Sequence, residues 1–330
     1  MSCAGKNPTT MTTPKGFLLL LGFVTFTLPV TYYYWITRLH DKTEVRKQRQ
    51  ELRKQLIIQM CKTSKQVFSQ MKHNLEDLTS LDLENFIVND EYAVIYCYIP
   101  KVACTNGKRL MISLNKGKPY QDLMSIHPDV VQNYNFHYLS HLPKPEQQIR
   151  LKHFKKFLFV RDPFNRLLSA FRGKFQKFNW YFYENYAWHI LHHFGHLPEP
   201  TPSMHEAFTS GLFPSFNNFI EYLLDPQTEK NVPFEPHWRQ MHRLCHPCHI
   251  QFDFIGHQET LQDDAEQLLN LLNLQDDIKF PPSYENMTSS NMVLDWFRTV
   301  PLEDRRKLYN MYEEDFRLFG YEKPNSLLDE

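Results

Sequence analysis

At 330 residues, 42% apolar and 15% aromatic, the chain can build a substantial core as one large domain or two small ones. Its 37 Lys and Arg balance its 37 Asp and Glu. That excludes a strongly basic nucleic-acid binder but leaves room for a local basic cleft. No Pro-, Gly- or Ser-rich tract signals wholesale disorder, and no repeat of about 20–50 residues is present.

The first feature is Gly16 to Ile36, 21 residues without a charge, enough to cross a bilayer. Tyr32, Tyr33, Tyr34 and Trp35 form an aromatic belt at its end. The run is too long for the apolar part of a signal peptide, and no small-residue cleavage site follows. The expectation is therefore a tail over 1–15 and a membrane anchor over 16–36. Lys6 and Lys15 precede the anchor, while Arg38, Lys42, Arg46, Lys47, Arg49, Arg53 and Lys54 follow it. By the positive-inside rule alone, the bulk of the chain faces the cytosol. Residues 37–85 are polar, with apolar Val45, Leu52, Leu56, Ile57 and Met60 too ragged for a coiled coil. They read as a helical stem with a solvated basic face.

Tyr92 to Ile99, YAVIYCYI, is β-rich and is followed by PKVACTNG and the helical pattern KRLMISL. The loop carries Lys101 and Thr105 but lacks the spacing of a nucleotide P-loop. Loop amides, a cation and a hydroxyl still converge on an anion in such a layout. Phe157 to Val160 repeats the pattern as a buried strand. Arg161 ends it, Asp162 is a good N-cap, and Pro163 occupies the first helical position. Phe164, Leu167, Leu168, Phe171 and Phe175 share one helical face; Asn165, Ser169 and Arg172 share another. A guanidinium and a hydroxyl thus stand beside a helix N-terminus at the carboxyl end of a strand, where open α/β sheets take phosphates.

His127, His137 and His141 lie between these loops, and each reads equally well as an exposed loop residue. His189, His192, His193 and His196 recur at i, i+3, i+4 and i+7, one face that suits zinc in type but has no Cys, Asp or Glu nearby to complete a set. Ser215 to Leu224 reads as a capped amphipathic helix. PFEPHW places Glu235 beside His237, a carboxylate next to a histidine suited to general base work. Cys245-His246-Pro247-Cys248 lacks a thioredoxin-like context and reads as structural. Asn286 is the one N-x-[ST] acceptor. Leu308, Tyr309, Tyr312, Phe316 and Phe319 form a helical stripe that belongs to the core.

Together, PKVACTN at Pro100–Asn106, RDPFNRLLS at Arg161–Ser169, PFEPHW, LCHPC, FIGHQETLQDDA and LYNMYEEDFRLFGY resemble the Golgi carbohydrate sulfotransferases. The similar branch contains the chondroitin and dermatan 4-O-sulfotransferases and the HNK-1 sulfotransferase. The likeness runs from about Tyr92 to Tyr321. Gly107 departs from it, since the family usually has Trp there, an aromatic wall beside the first loop.

The resemblance implies an α/β, P-loop-NTPase-like sulfotransferase fold over 86–330, with a central parallel sheet flanked by helices and a transmembrane helix before it. It implies a single-pass type II Golgi membrane protein with a lumenal catalytic domain, against the flanking charge, because long domains translocate regardless. Asn286 would then be glycosylated. In an oxidising lumen Cys245 and Cys248 have each other, Cys97, Cys104 and Cys61 as open partners.

The implied donor is 3′-phosphoadenosine 5′-phosphosulfate, with no metal. Pro100, Lys101, Val102, Ala103, Cys104, Thr105 and Asn106 would form its 5′ loop. Arg161, Asp162, Pro163, Phe164, Asn165, Arg166, Leu167, Leu168 and Ser169 would form its 3′ loop. Lys101 is the expected catalytic cation, and His237 or His127 the base; related enzymes often carry theirs in the interval that holds His127. The acceptor is a glycosaminoglycan or glycoprotein glycan, first O4 of GalNAc in chondroitin or dermatan, with terminal GalNAc or glucuronic acid as rivals. A nucleotide kinase lacks its metal ligands here. A zinc hydrolase would rest on the histidine face alone, and a non-catalytic lumenal glycan binder stays open.

Overall fold

Four short strands position everything else: β1 (Phe86–Asn89), β2 (Val94–Cys97), β3 (Lys155–Val160) and β4 (Phe254–His257), paired in that order in one sheet. The computed structural model describes residues 42–63, 75–115, 122–177, 179–195, 203–282 and 288–329. β2, β3 and β4 run parallel, with Cys97 opposite Leu158 and Val160 opposite His257. β1 runs antiparallel to β2, so the expected parallel sheet is mixed at one edge. Residues 90–93 alone join the two, too few for the crossover that a parallel pair requires.

The longer helices are α1 (42–63), α2 (Cys104–Leu114), α3 (Lys144–His153), α4 (Pro163–Lys174), α5 (Phe216–Leu224), α6 (Leu261–Leu271) and α7 (Leu302–Phe319). The strands are buried almost throughout, as expected where helices cover both faces. Alternation along each strand divides the core. Tyr96, Phe157 and Phe159 pack with Leu110 and Met111 of α2 and Leu268 of α6. Ile95, Cys97, Leu158 and Val160 pack with Ile57 of α1 and Phe319 of α7. A third cluster joins the apolar face of α4 to α5, α7 and Trp238. Ser215 caps α5 with a reciprocal capping box, and the stripe on α7 is buried, both as the sequence predicts.

Part of the segment expected to form the stem packs with the sheet. The unit that carries the sheet begins at Gln50. The Gln50 side chain donates to the Ile255 carbonyl at 2.9 Å and accepts from its N–H at 3.0 Å, completing the open edge of β4. Arg53 adds a bond to the same carbonyl and an ion pair with buried Asp264 at 2.9 Å. An unpaired strand edge is a liability, and these polar side chains serve it where solvation had been expected. The expected span over 16–36 lies outside the described residues; no helix among those described is long and apolar enough to cross a membrane.

The two CxxC cysteines do not join each other. Cys245 pairs with Cys97 at the end of β2, and Cys248 pairs with Cys61 of α1. His246 turns the chain between them in the left-handed region, φ 48°. The second bridge closes a loop of 187 residues. Replacing Cys61 and Cys248 together with Ala is expected to cost about 2–4 kcal/mol. Urea unfolding measures this, and an unchanged midpoint would exclude the bridge as a stabilising tie.

Candidate active site

The first loop, between β2 and α2, is held in a conformation that L-residues resist. Lys101 has φ 72° and Ala103 φ 51°, each costing about 1–2 kcal/mol in the left-handed region. Guanidinium groups from the second strand–loop–helix hold it there. Arg166 Nε donates to the Pro100 carbonyl at 3.1 Å, and Arg161 Nη1 donates to the Lys101 carbonyl at 3.3 Å. The Ala103 carbonyl accepts from the third and fourth amides of α2, Asn106 at 2.9 Å and Gly107 at 3.2 Å.

The second loop follows the sequence reading closely. Asp162 caps α4, accepting from the Asn165 N–H at 2.8 Å, with Pro163 at the helix start. Its own N–H donates to Glu259 at 3.0 Å. Arg161 is thereby fixed at the end of β3, largely buried.

Both loops open on one cleft of about 800 Å³ at the carboxyl ends of the parallel strands. Lys101, Ala103, Cys104 and Thr105 line it from the first loop, and Arg161, Ser169, Arg172, Gly173 and Lys174 from the second. Gln176, Lys177, His237, Gln258, Thr288 and Met292 complete the wall. Among the described residues no carboxylate lines it. Gly173 lets the Lys101 ammonium lie against α4: a Cβ there would stand 2.6 Å from Nζ. Burial, together with the charges of Lys174, Arg161 and Lys177, pulls the Lys101 pKa down to about 8.

His237 enters from the segment after α5. Its Nδ1 lies 2.9 Å from both Glu235 oxygens, and its N–H donates to the same carboxylate at 2.6 Å. An ionised Glu235 accepts a hydrogen bond from Nδ1–H of the neutral ring, which leaves Nε2 as the basic nitrogen. Burial pushes the imidazole below its ordinary value; Glu235 opposes this, and Lys174 and Lys101 reinforce it. The segment is rigid. Trp238 is fully buried, and its carbonyl accepts from Tyr312 Oη. Asp315 accepts from the Met241 and His242 N–H groups at 2.6 and 2.9 Å.

Other expected site residues have different tasks. Pro100 and Val102 shape the first loop, and Asn106 is buried against Arg109 at 3.1 Å. Asp162, Pro163 and Asn165 form the helix cap, while Phe164, Leu167 and Leu168 belong to the core. Arg166 does not line the cleft. It is 1% exposed and donates to three backbone carbonyls, Pro100 at 3.1 Å and Pro236 and Arg239 at 2.7 Å each. Two of these precede Lys101 and His237, so one side chain fixes both.

His127, the other candidate base, sits elsewhere. It is an exposed cap of the short helix Pro128–Asn133, turned to Asp129, and is not part of the cleft wall. His137 sits 3.4 Å from Asp90, and His141 lies against Tyr138. Gly107 also corrects its reading as a missing wall. Its open side faces the sheet, where a Cβ would stand 2.4 Å from the Tyr96 ring. Asn286 and His196 lie outside the described residues. His189, His192 and His193 lie together, and no group of three or more metal-binding side chains occurs among the described residues.

Lys174, Lys177 and Gln258 escaped the sequence reading. Lys174 and Lys177 sit at and beyond the end of α4, where helical periodicity stops carrying information. Gln258 had a usable signal: it follows β4 and precedes α6, a third strand–loop–helix of the kind already recognised twice. Arg166→Lys leaves at least two of the three carbonyls without their donor, costing roughly 1–3 kcal/mol. Hydrogen exchange at residues 101–103 and 237–239 is expected to quicken about tenfold in both segments. Acceleration in only one would show that Arg166 does not link them.

Residues 84–322 match the model of the sulfotransferase family. The chain is 45% identical over 312 residues to carbohydrate sulfotransferase 12 of Xenopus laevis, covering 90% of this chain and 74% of that one. It is 44% identical over 313 residues to the mouse (Mus musculus) protein of the same name, with the same coverage. To carbohydrate sulfotransferase 11 of Rattus norvegicus it is 37% identical over 280 residues, covering 84% and 77%. No solved structure matches it.

Proposed function

The chain belongs to the sulfotransferase family, among the carbohydrate sulfotransferases, and from that premise we propose that its cleft moves a sulfuryl group from 3′-phosphoadenosine 5′-phosphosulfate to O4 of GalNAc in chondroitin or dermatan. The observation that carries the reading is the meeting of two anion-binding turns from adjacent parallel strands. Arg161 reaches the Lys101 carbonyl at 3.3 Å inside a cleft lined by five Lys and Arg and, among the described residues, no carboxylate. A donor with anionic groups at two ends suits that arrangement. Lys101, Thr105 and the first amides of α2 take the phosphosulfate; Arg161 and Ser169 take the 3′-phosphate.

Sulfuryl transfer, like phosphoryl transfer, passes through a loose in-line transition state, so positioning and charge neutralisation dominate. The bond from sulfur to the phosphate oxygen breaks as the bond to the sugar oxygen forms. Lys101 answers the charge that builds on the departing phosphate. His237 Nε2 takes the hydroxyl proton while Glu235 holds Nδ1–H. The acceptor follows from the PKVACTN and LCHPC wording, which is most similar to the 4-O-sulfotransferase branch. A Golgi lumenal setting is supported by the apolar run at 16–36 and by two disulfides.

The test is incubation with labelled donor and a panel of desulfated chondroitin, dermatan and glycoproteins ending in GalNAc or glucuronic acid, followed by disaccharide analysis. Label in 4-sulfated GalNAc is expected. Label on the glycoproteins would move the acceptor, and binding without transfer would leave a glycan-binding protein. In the same assay Lys101→Ala should lower kcat about 100- to 1000-fold. Arg161→Ala should chiefly raise the donor KM, about tenfold or more. Either variant near wild type removes its assignment.

The pH profile of kcat/KM should be bell-shaped. Activity requires neutral His237, so it rises with pH through a value below 6.5. It requires charged Lys101, so it falls as pH passes about 8. His237→Asn should abolish the acid limb, and Lys101→Arg should carry the alkaline limb out of range. A profile unchanged by these substitutions would deny both roles.

A further inference from the structure

The cleft wall continues onto a second surface. Lys174 and Lys177 line the cleft, and they also line a shallow apolar depression together with Phe208, Phe213 and Tyr183. Phe208 and Phe213 are 41% and 40% exposed, with ring centroids 6.2 Å apart. Gly211, at φ 72°, makes the turn that brings Phe213 back beside Phe208. Tyr183 belongs to a π-helical turn over Tyr183–Ala187, a rare distortion that recurs at functional sites. Among the described residues the depression, like the cleft, has no carboxylate in its wall.

We propose that Phe208, Phe213 and Lys177 form an acceptor subsite for a uronate-bearing glycan chain, holding sugars beyond the one whose hydroxyl meets His237. The inference rests on the sulfotransferase reading and names a region that the two nucleotide loops do not include. A pyranose ring presents C–H groups on one face, which pack on an aromatic plane as apolar surface does. A chain that alternates uronic acid with hexosamine brings a carboxylate at every second sugar, and Lys177 supplies the opposite charge. The shared lysines make the shelf continuous with the reaction cleft, so one chain can occupy both. Binding energy from such remote sugars holds the reacting hydroxyl in place.

Two measurements on full-length protein test the subsite. The first compares kcat/KM for long desulfated chondroitin with that for a single GalNAc glycoside. In Phe208→Ala and Phe213→Ala, which stand outside the donor cleft, the ratio of long to short is expected to fall about tenfold, with the donor KM unmoved. Phe213→Tyr, which keeps the ring, should restore it. A ratio equal to wild type overturns the subsite. So does a rise in donor KM, which would assign the rings to the nucleotide. The second measures binding of desulfated chondroitin directly by surface plasmon resonance at low and high salt. Tenfold weaker, less salt-dependent binding by Lys177→Ala supports the subsite; equal binding by wild type and the three variants overturns it. Because this reading needs no turnover, an absence of transfer to every acceptor would strike the sulfotransferase reading while the binding data still judge the shelf.

Discussion

A buried guanidinium holds the working parts of this protein together. Arg166 is removed from water, and its charge is answered by three backbone carbonyls and by buried Asp315 nearby. A buried charge is tolerable only when its donors are satisfied, and the satisfying groups here come from two distant loops. One is the turn that holds Lys101 at a left-handed φ; the other is the segment that presents His237. The strain in the first loop persists because its surroundings over-determine it. The arginine is thus a frame for two functional groups that never touch each other through it.

The remaining supports act on the same two loops from other directions. The Cys97–Cys245 bridge ties the strand that precedes the first loop to the short helix that follows His237. Asp315 and Tyr312 of α7 fasten that second segment to the core. Gly107 lets α2 settle onto Tyr96, whose ring in turn stacks on Phe157 at 4.7 Å. Fixing the start of α2 fixes the amides at its N-terminus, beside the cleft.

Local chemistry was legible in the sequence; long-range pairing was not. The Asp162–Pro163 start of α4, the Ser215 cap and the buried stripe of α7 are written within a few residues, by capping and periodicity. The pairing of Gln50 was not legible, because its partner, Ile255, lies 205 residues away. The cysteine pairs are 148 and 187 residues apart, which left their pairing open. Arg166 passed for a ligand contact because it stands inside a contiguous motif, whereas its partners lie 66 to 73 residues distant. His127 and His237 differ in burial. The neighbouring Glu235 was visible in sequence, but the enclosure that lowers the His237 pKa was not.

Crowding Lys101, Arg161, Lys174 and Lys177 around one cleft is unfavourable while the cleft holds only water. The depressed Lys101 pKa, about 8, records first the cost of burial and then that repulsion. Each anion that enters relieves both, so occupation stabilises the charged lysine at the same time as the lysine holds the anion. The effect reaches His237 as well, since Lys174 and Lys101 add to burial in pushing it toward its neutral form. Neutral imidazole beside charged ammonium is the pairing that proton removal and leaving-group stabilisation require together. The same positive field therefore sets both protonation states, and the stability given up to build it is what a site of this kind exchanges for function.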